Sequence, residues 1–517
     1  MLNLLRYQFN HSSCAICWQA AIEKLALLVL ILLPSLVLLF PLPLWCAGHA
    51  TTDRTDITSF SLEELSTTEV ISNTDFAQQL VDASSAVSVV TAEEIERFGY
   101  RTIGEILDSM RGMHISQDGF YGFLGGRGYG APGEYAGRIM ILIDGYSAAD
   151  NFFNQIYIND DGYLDTALID RVEYAPGPGS AIYGNNAFLG VVNIITRKGR
   201  DFDGLDTELI AGPHHDREGR ITWGKRLDNG AEWIISASGR TGDSLYPSPV
   251  FTPEVSNNRL FLKANYRVWS LEAASVAKRT NDDITYRLAN QDVYTLYKTK
   301  DENRFINVSY ESDFINKDWK MTSRLYYGDY LYDYHDNNSL NESNEIRYYG
   351  EWFGIDNKLI YLGAERHRML LGVEYHIDSK QDGAFDYLVD GALNYQDSVE
   401  HNGDIFSIYG EDTFSLSPLL SASIGGRYDR RNYDSFNTTY DFFNPRLSLL
   451  YDPTKELSLK FSYGQAGHFE PISNTGEYLS DPSRVRCHCQ TQYYTAASRN
   501  TRATFDASCG PCLPAWG

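Results

Sequence analysis

The apolar positions of this chain follow two different periods, and the change between them comes near residue 200. Beyond it the period is two. The segment RLSLLYDPTKELSLKFSYG runs through Leu447, Leu449 and Tyr451, alternating with Ser448 and Leu450. It turns at 452–456 and returns through Leu457, Leu459, Phe461 and Tyr463, alternating with Ser458, Lys460 and Ser462. Successive side chains of a strand point to opposite faces, so this reads as a hairpin with one apolar and one mostly polar face. The same alternation passes through Trp233 and Ile235 in NGAEWIISASG, and through Leu260, Leu262, Ala264 and Tyr266 in RLFLKANYR. Longer intervals such as YGDYLYDYHDNNSLNESNE are full of Asn, Asp, Tyr and Ser and read as polar loops.

Residues 76–199 are patterned differently. AVSVV is a short strand, and Thr91 with Glu94 three residues on forms a capping box that opens a helix ended by Gly99. Thr102 and Glu105 repeat the device, and Ile103, Ile106, Leu107 and Met110 then fall at helical spacing on one buried face. RIMILIDGY is a buried strand closed by a tight turn at Asp144-Gly145. In DRVEYAPGPGSAIYGNNAFLGVVNIITRKG, two Gly and two Pro separate strand-like segments, the second at 191–196. Together these predict one small mixed α/β domain.

Composition adds compartment and partners. Arg6 and Lys24 precede an apolar run from Leu25 to Cys46, and Gly48-His49-Ala50 follows, which reads as an export signal over residues 1–50; an uncleaved anchor is the rival. Residues 51–75, rich in Thr, Ser, Asp and Glu, read as a flexible lead-in. All seven cysteines lie in the first 46 or the last 31 residues, so the body between must be stable without disulfides. Residues 51–483 carry 66 acidic and 38 basic residues, which argues against nucleic acid as a partner. An exported, cysteine-free body of alternating strands rich in Tyr and Phe fits a transmembrane β-barrel; a soluble sandwich or solenoid is the alternative on pattern alone.

Six pieces in series between about residues 85 and 199 carry a family likeness: SVVTAEEIERFG, TIGEILDSMRGMHI, GGRGYG, IMILIDG, DRVEYAPGPGSAIYG and NAFLGVVNIITRKG. In this order they resemble the plug of TonB-dependent outer-membrane receptors. YGEDTFSLSPLLSASIGGRYD and SLKFSYGQA are similar to strands of that family's barrel. The matching plug positions are Gly126, Arg127, Gly128, Asp144, Gly145, Gly177, Pro178, Gly179, Ser180, Tyr183 and Gly184. One departure stands out. Many members carry Arg before the Gly-Pro of this turn; here it is Pro176, so a polar contact between plug and barrel is expected to be missing.

The resemblance implies a mixed α/β plug at 76–199 and an antiparallel transmembrane β-barrel from 200 to 483, in the bacterial outer membrane. It implies no enzyme, cofactor or metal, but uptake of a scarce nutrient complex, most often a ferric siderophore, less often cobalamin, haem or a carbohydrate. Its partners would be outer-membrane lipid, the small-molecule ligand, and TonB with the inner-membrane complex that taps the proton-motive force. The TonB box is assigned to Thr68, Glu69, Val70, Ile71 and Ser72, a β-prone stretch suited to strand addition, against the alternative of plain linker. Ligand contacts are expected from Phe120, Tyr121 and Phe123, and from Asn151, Phe152, Phe153, Asn154 and Tyr157, which could equally pack the plug against the barrel wall.

Other constellations fail on chemistry. INDDGYLD suggests calcium, yet aligning Gly162 with the EF-hand glycine puts Tyr157 at the first ligand position. GGRGYG opens no Rossmann helix, no Lys follows Gly184 as a phosphate loop requires, and His214-His215 is most simply a solvated turn. Cys509-Gly510-Pro511-Cys512 has the spacing of a thiol exchanger but lacks the strand before it and the helix after it.

Length raises a geometric difficulty. At roughly 20 residues per strand and turn, residues 200–483 supply about 12–14 strands of the roughly 22 in a plugged transporter. A closed ring of about 12 strands is roughly 20 Å across, too narrow for a plug of roughly 30 Å. The alternating pattern stops near Pro482, so residues 484–517 are expected to be a truncated or out-of-frame tail, against the alternative of a natural short barrel with an unusual tail; a non-functional truncated product is the alternative to the receptor function.

Overall fold

The computed structural model describes residues 87–468 except 119, 131–137, 178, 185, 246–252, 289–290, 315 and 455–456. It adds the strand backbones β1 (Glu69–Val70), β2 (Gln78–Gln79) and β23 (His488–Ala497). The leader, Thr68, Ile71, Ser72, Pro178 and the Cys509–Cys512 motif lie outside the described residues.

The small domain forms as its local signals dictate. β3 (Ser88–Thr91) leads into α1 (Ala92–Phe98), whose N-cap Thr91 and Glu94 make both halves of the capping box, and Gly99 closes it at φ 68°. In α2 (Ile103–Asp108), Thr102 accepts from the Glu105 amide, while the Glu105 carboxylate takes the amide of Arg101. β4 (Met113–Gln117) and β5 (Gly122–Gly126) form a hairpin. β6 (Ile139–Ile143), β7 (Tyr146–Ser147), β8 (Ile169–Pro176) and β9 (Gly190–Thr196) join β3 in a mixed sheet, ordered β3-β8-β9-β6-β7 with β6 and β9 parallel. Two short helices, α3 (Ser180–Tyr183) and α4 (Gly199–Phe202), flank β9.

The rest is one antiparallel sheet in sequence order, β10 to β23. Its strands are β10 (Gly204–Ala211), β11 (Arg217–Arg226), β12 (Glu232–Asp243), β13 (Glu254–Tyr266), β14 (Trp269–Leu288), β15 (Gln291–Asp313) and β16 (Trp319–Asn338). They continue as β17 (Glu342–Ala364), β18 (His367–Val389), β19 (Ala392–Ser417), β20 (Leu420–Tyr433), β21 (Thr438–Thr454) and β22 (Leu457–His468), before β23. β10 and β23 stand at its two ends, so the narrow closed ring of the length argument is not what surrounds the small domain.

This sheet is apolar outside and polar inside. Leu260, Ile424 and Leu449 are exposed, while their neighbours Arg259, Ser423 and Ser448 are buried. In water that arrangement is costly; in lipid it is the required one. The inner face meets the small domain directly, and Ile234, Phe261, Val276 and Phe305 of the sheet share one core with Ile106, Leu107, Ile143, Val172 and Ile194. Among the described residues no helix is long and apolar enough to cross a membrane. A tilted strand needs about 9–11 residues to do so, and β14 to β19 have 20 to 26, so about half of each projects beyond the hydrocarbon. Aromatic pairs Trp223–Trp233, Trp269–Tyr310 and Trp319–Tyr361, with centroids 5.4, 4.9 and 4.5 Å apart, lie near the turns at 227–231, 267–268 and 314–318, at the end opposite the β16–β17 hairpin turn.

Three expectations are corrected. YGDYLYDYHDNNSLNESNE is a long β16–β17 hairpin with its turn at 339–341. Both faces of the projecting strands are polar there, so period two disappears from the sequence. The turn expected at 452–456 shortens to 455–456, because a register shift between Tyr451 and Thr454 lets Pro453 sit within β21. The sheet also continues past 483: β23 pairs with β22 from Leu459↔Ala497 to His468↔His488, a backbone pairing that no apolar alternation announces.

Candidate functional site

The small domain is fastened to the sheet by buried ion pairs. Asp144 and Gly145 adopt φ 47° and 78°, the paired positive values of a two-residue hairpin turn, and Ile143 faces Tyr146 across it. The Asp144 carboxylate accepts from the Thr196 amide at 3.1 Å and from Lys263 Nζ at 2.8 Å, while Arg324 donates to the carbonyls of both turn residues. Asp160 pairs with Arg240 at 3.1 Å and Asp161 with Lys278 at 3.2 Å; Arg259 donates to the Gly162 carbonyl at 2.8 Å. The carboxylates that suggested calcium are therefore engaged by cations.

A third fastening lies at the Gly177–Gly184 turn. Ser180 Oγ donates to the Ala187 carbonyl at 3.1 Å and the Gly179 amide to the same carbonyl, holding the loop closed. Arg427 Nη1 donates to the Ile182 carbonyl at 3.1 Å, Nη2 to Glu374 at 2.7 Å and Nε to Asp429 at 2.6 Å. Gly184, at φ 80°, sits so close that an added Cβ would lie 2.8 Å from Arg427 Cζ. A polar contact between the sheet and this turn is thus present, at Ile182 and not at Pro176. Tyr183 packs against Met140, Leu142 and Val191 on one hand and the Ile360–Leu370–Tyr409 wall on the other. In GGRGYG, Gly126 and Tyr129 exchange amide–carbonyl bonds around Arg127 and Gly128, at φ 56° and 82°, making a tight turn.

Most of the expected ligand residues converge. Phe152 stacks on Tyr348 with centroids 4.4 Å apart, Phe153 meets Tyr330 and Tyr348 edge-on, and Tyr157 stacks on Tyr330 at 6.0 Å. Tyr121 lies 6.3 Å from Tyr157 and donates to Asp301 Oδ2 at 2.8 Å. Burial, then the Asp301 charge, holds the Tyr121 phenol well above its usual value. Phe120 and Tyr121 are posed by amide bonds to Asp118. Asn151 donates to Asp378 Oδ1 and to the Lys380 carbonyl, both at 3.0 Å, and Asn154, at φ 57°, gives its carbonyl to Asn186. Phe123 is buried in β5 and stands outside this aromatic cluster. Asp150, capped by the amides of Phe152 and Phe153, has its carboxyl pushed up to about 7 by burial, against the pull of those amides.

Beside the cluster, a cavity of about 150 Å3 separates the 145–154 loop and α3 from β16–β20; Asp150, Asn151, Tyr326, His376, Arg427 and Arg431 are among its walls. Of the TonB-box residues, Glu69 and Val70 form β1, paired with Gln79 and Gln78. His214 and His215 occupy the β10–β11 turn with exposed side chains. Sequence reasoning missed Lys263, Lys278, Arg240 and Arg427. The available signal was a cation at the polar position of an alternating strand, which on a lipid-facing sheet means inward.

Comparison with known proteins agrees with this architecture. The family model "TonB-dependent Receptor Plug Domain" matches residues 79–191, and "TonB dependent receptor-like, beta-barrel" matches 272–501. A vitamin B12 transporter, BtuB, of Vibrio vulnificus is 30% identical over 171 residues, covering 32% of this chain and 26% of that transporter. Among solved structures, FpvA of P. aeruginosa bound to a heterologous pyoverdine has a TM-score of 0.61 at 15% identity, covering 84% of this chain and 64% of that one. The siderophore receptor PiuA from Acinetobacter baumannii (TM-score 0.62, 15% identity, 84% and 73% covered) and the ferric citrate transporter FecA in its unliganded form (0.62, 14%, 81% and 68%) are similar to the same extent. At such identities the likeness is one of fold. Two family models that between them take in most of the chain, on a plug held inside an inverted sheet, establish that this chain belongs to the TonB-dependent receptors.

Proposed function

We propose that this chain is an outer-membrane receptor for the active, TonB-dependent uptake of a scarce nutrient complex, with a ferric siderophore as the leading ligand class. The observation that carries the reading is the aromatic cluster where plug residues Tyr121, Phe152, Phe153 and Tyr157 meet Tyr330 and Tyr348 of the projecting strands. Such a surface suits a bulky ligand with flat or apolar faces. In a plugged barrel free diffusion would be blocked, so transport would need force. That force would arrive through residues 68–72 adding as a strand to TonB. Several proteins of similar fold are named for siderophore or ferric citrate transport; the 30% identity to a B12 transporter keeps cobalamin as the second reading.

Deleting residues 66–73 is expected to abolish energised uptake of radiolabelled ligand by whole cells while leaving equilibrium binding unchanged. Uptake at the undeleted rate would sink the proposal. Assaying a ferric siderophore and cyanocobalamin in parallel separates the two ligand readings.

A further inference from the structure

Two of the projecting hairpins, β16–β17 and β18–β19, carry a strong and lopsided charge. Residues 328–350 hold five Asp and Glu against one Arg, and residues 378–404 hold seven against one Lys. The cations that face the plug are already engaged: Lys278 by Asp161, Arg431 by Asp378, Arg240 by Asp160, and Arg427 by Glu374 and Asp429. A polyanionic ligand entering past these two hairpins would therefore meet carboxylates, while the plug-facing cations Lys278, Arg431, Arg240 and Arg427 are already engaged by other partners.

What the inner faces of the projecting strands above the plug, together the cup, do offer is aromatic faces and hydrogen-bonding oxygen. Tyr332 stacks on Tyr348 with centroids 5.6 Å apart, Tyr297 lies 6.1 Å from Tyr334, and Tyr433 lies 6.0 Å from Tyr440. Independently, Thr295, Thr299, Asp301 and Asn303 alternate along β15, and each has a buried polar side-chain atom with no partner among the described residues. Asp301 is 2% exposed and spends one oxygen on Tyr121, leaving Oδ1 unpartnered. Buried polar atoms are nearly always satisfied, so such a row points to something that binds there. Tyrosine faces attract cations through their ring quadrupoles, and carboxylates add to that attraction.

We propose that the ligand of this receptor is a bulky complex of zero or positive net charge, seated on the tyrosine faces and the polar row of β15, and that polyanionic complexes are rejected. The inference rests on the cup being the ligand entrance, as in the function proposed above, but it concerns binding alone and needs no TonB. Its test is equilibrium binding to the purified full chain in detergent, read by intrinsic fluorescence, with three probes: a monocationic ferric tris-hydroxamate, neutral cyanocobalamin and a trianionic ferric tris-catecholate. The cationic or the neutral probe is expected to bind about tenfold or more tighter than the trianion. Affinity for the cation should fall as salt rises from about 50 to about 500 mM. Asp301→Asn and Asp336→Asn, made separately so that one misfolded variant leaves the other, should each weaken the cation and spare the neutral probe. Tighter binding of the trianion, equal binding of all three, or binding of none overturns the proposal. Loss of the charge preference with TonB-dependent uptake intact would remove this inference and leave the proposed function standing.

Discussion

Arg427→Ala is expected to destabilise the folded receptor by about 3–5 kcal/mol, the cost of leaving buried carboxylates without their cation. Three hydrogen bonds end on this guanidinium, to Glu374, Asp429 and the Ile182 carbonyl, and its ring contact with Tyr409 at 4.8 Å fixes its plane. Losing it removes the bond that ties α3 to the wall and leaves Glu374 and Asp429 without their cation at the edge of the cavity. Urea unfolding of the refolded protein reads the loss. Arg427→Met combined with Glu374→Gln and Asp429→Asn should recover a good part of it, since no buried charge is then left unpaired. If the single variant stays within about 0.5 kcal/mol of the parent, Arg427 does not hold the plug.

Leu260→Arg is the second large effect, and it distinguishes lipid from water. Leu260 lies midway along β13 and is 59% exposed, while Phe261 beside it is 2% exposed and packs in the shared core. On a soluble sheet, arginine at so exposed a position would be close to neutral. On the lipid face near the bilayer centre it should cost about 2–4 kcal/mol. Unfolding of the variant from phosphatidylcholine bilayers gives the number, and a cost below about 0.5 kcal/mol would mean that this face does not meet hydrocarbon.

How far the sequence led depended on which environment each residue answers to. Thr91 with Glu94, Gly99, and the Asp144-Gly145 turn are local devices whose partners lie within a few residues, and each formed as expected. The hairpin through Leu447 and Leu457 was legible because the two faces of the sheet make opposite demands on alternate residues, apolar outside and polar inside. Residues 328–350 are rich in Tyr, Asp and Asn on both faces of their strands, so nothing in their composition separates strand from loop. The fastening residues were hidden for another reason. Lys263, Lys278, Arg240 and Arg427 find their partners in the small domain 80 to 245 positions away in the chain, and their meaning depends on which face is inward. Of the candidate ligand residues, Tyr121, Phe152, Phe153 and Tyr157 came together because two separate loops carry them to one end of the plug, and Phe123 did not because β5 turns it inward.

An accessibility scan along β13 bears most directly on the central claim, a plug held inside a sheet whose outer face is solvated by lipid. Nitroxide labels placed one at a time at residues 258–265 of the bilayer-inserted protein would be read by collision with oxygen, which concentrates in hydrocarbon, and with a water-soluble nickel chelate. Positions 260, 262 and 264 are expected to be oxygen-accessible and chelate-protected, and 259, 261 and 263 protected from both, since Arg259, Phe261 and Lys263 face the plug. Loss of the alternation, or chelate access at 260 and 262, would contradict it.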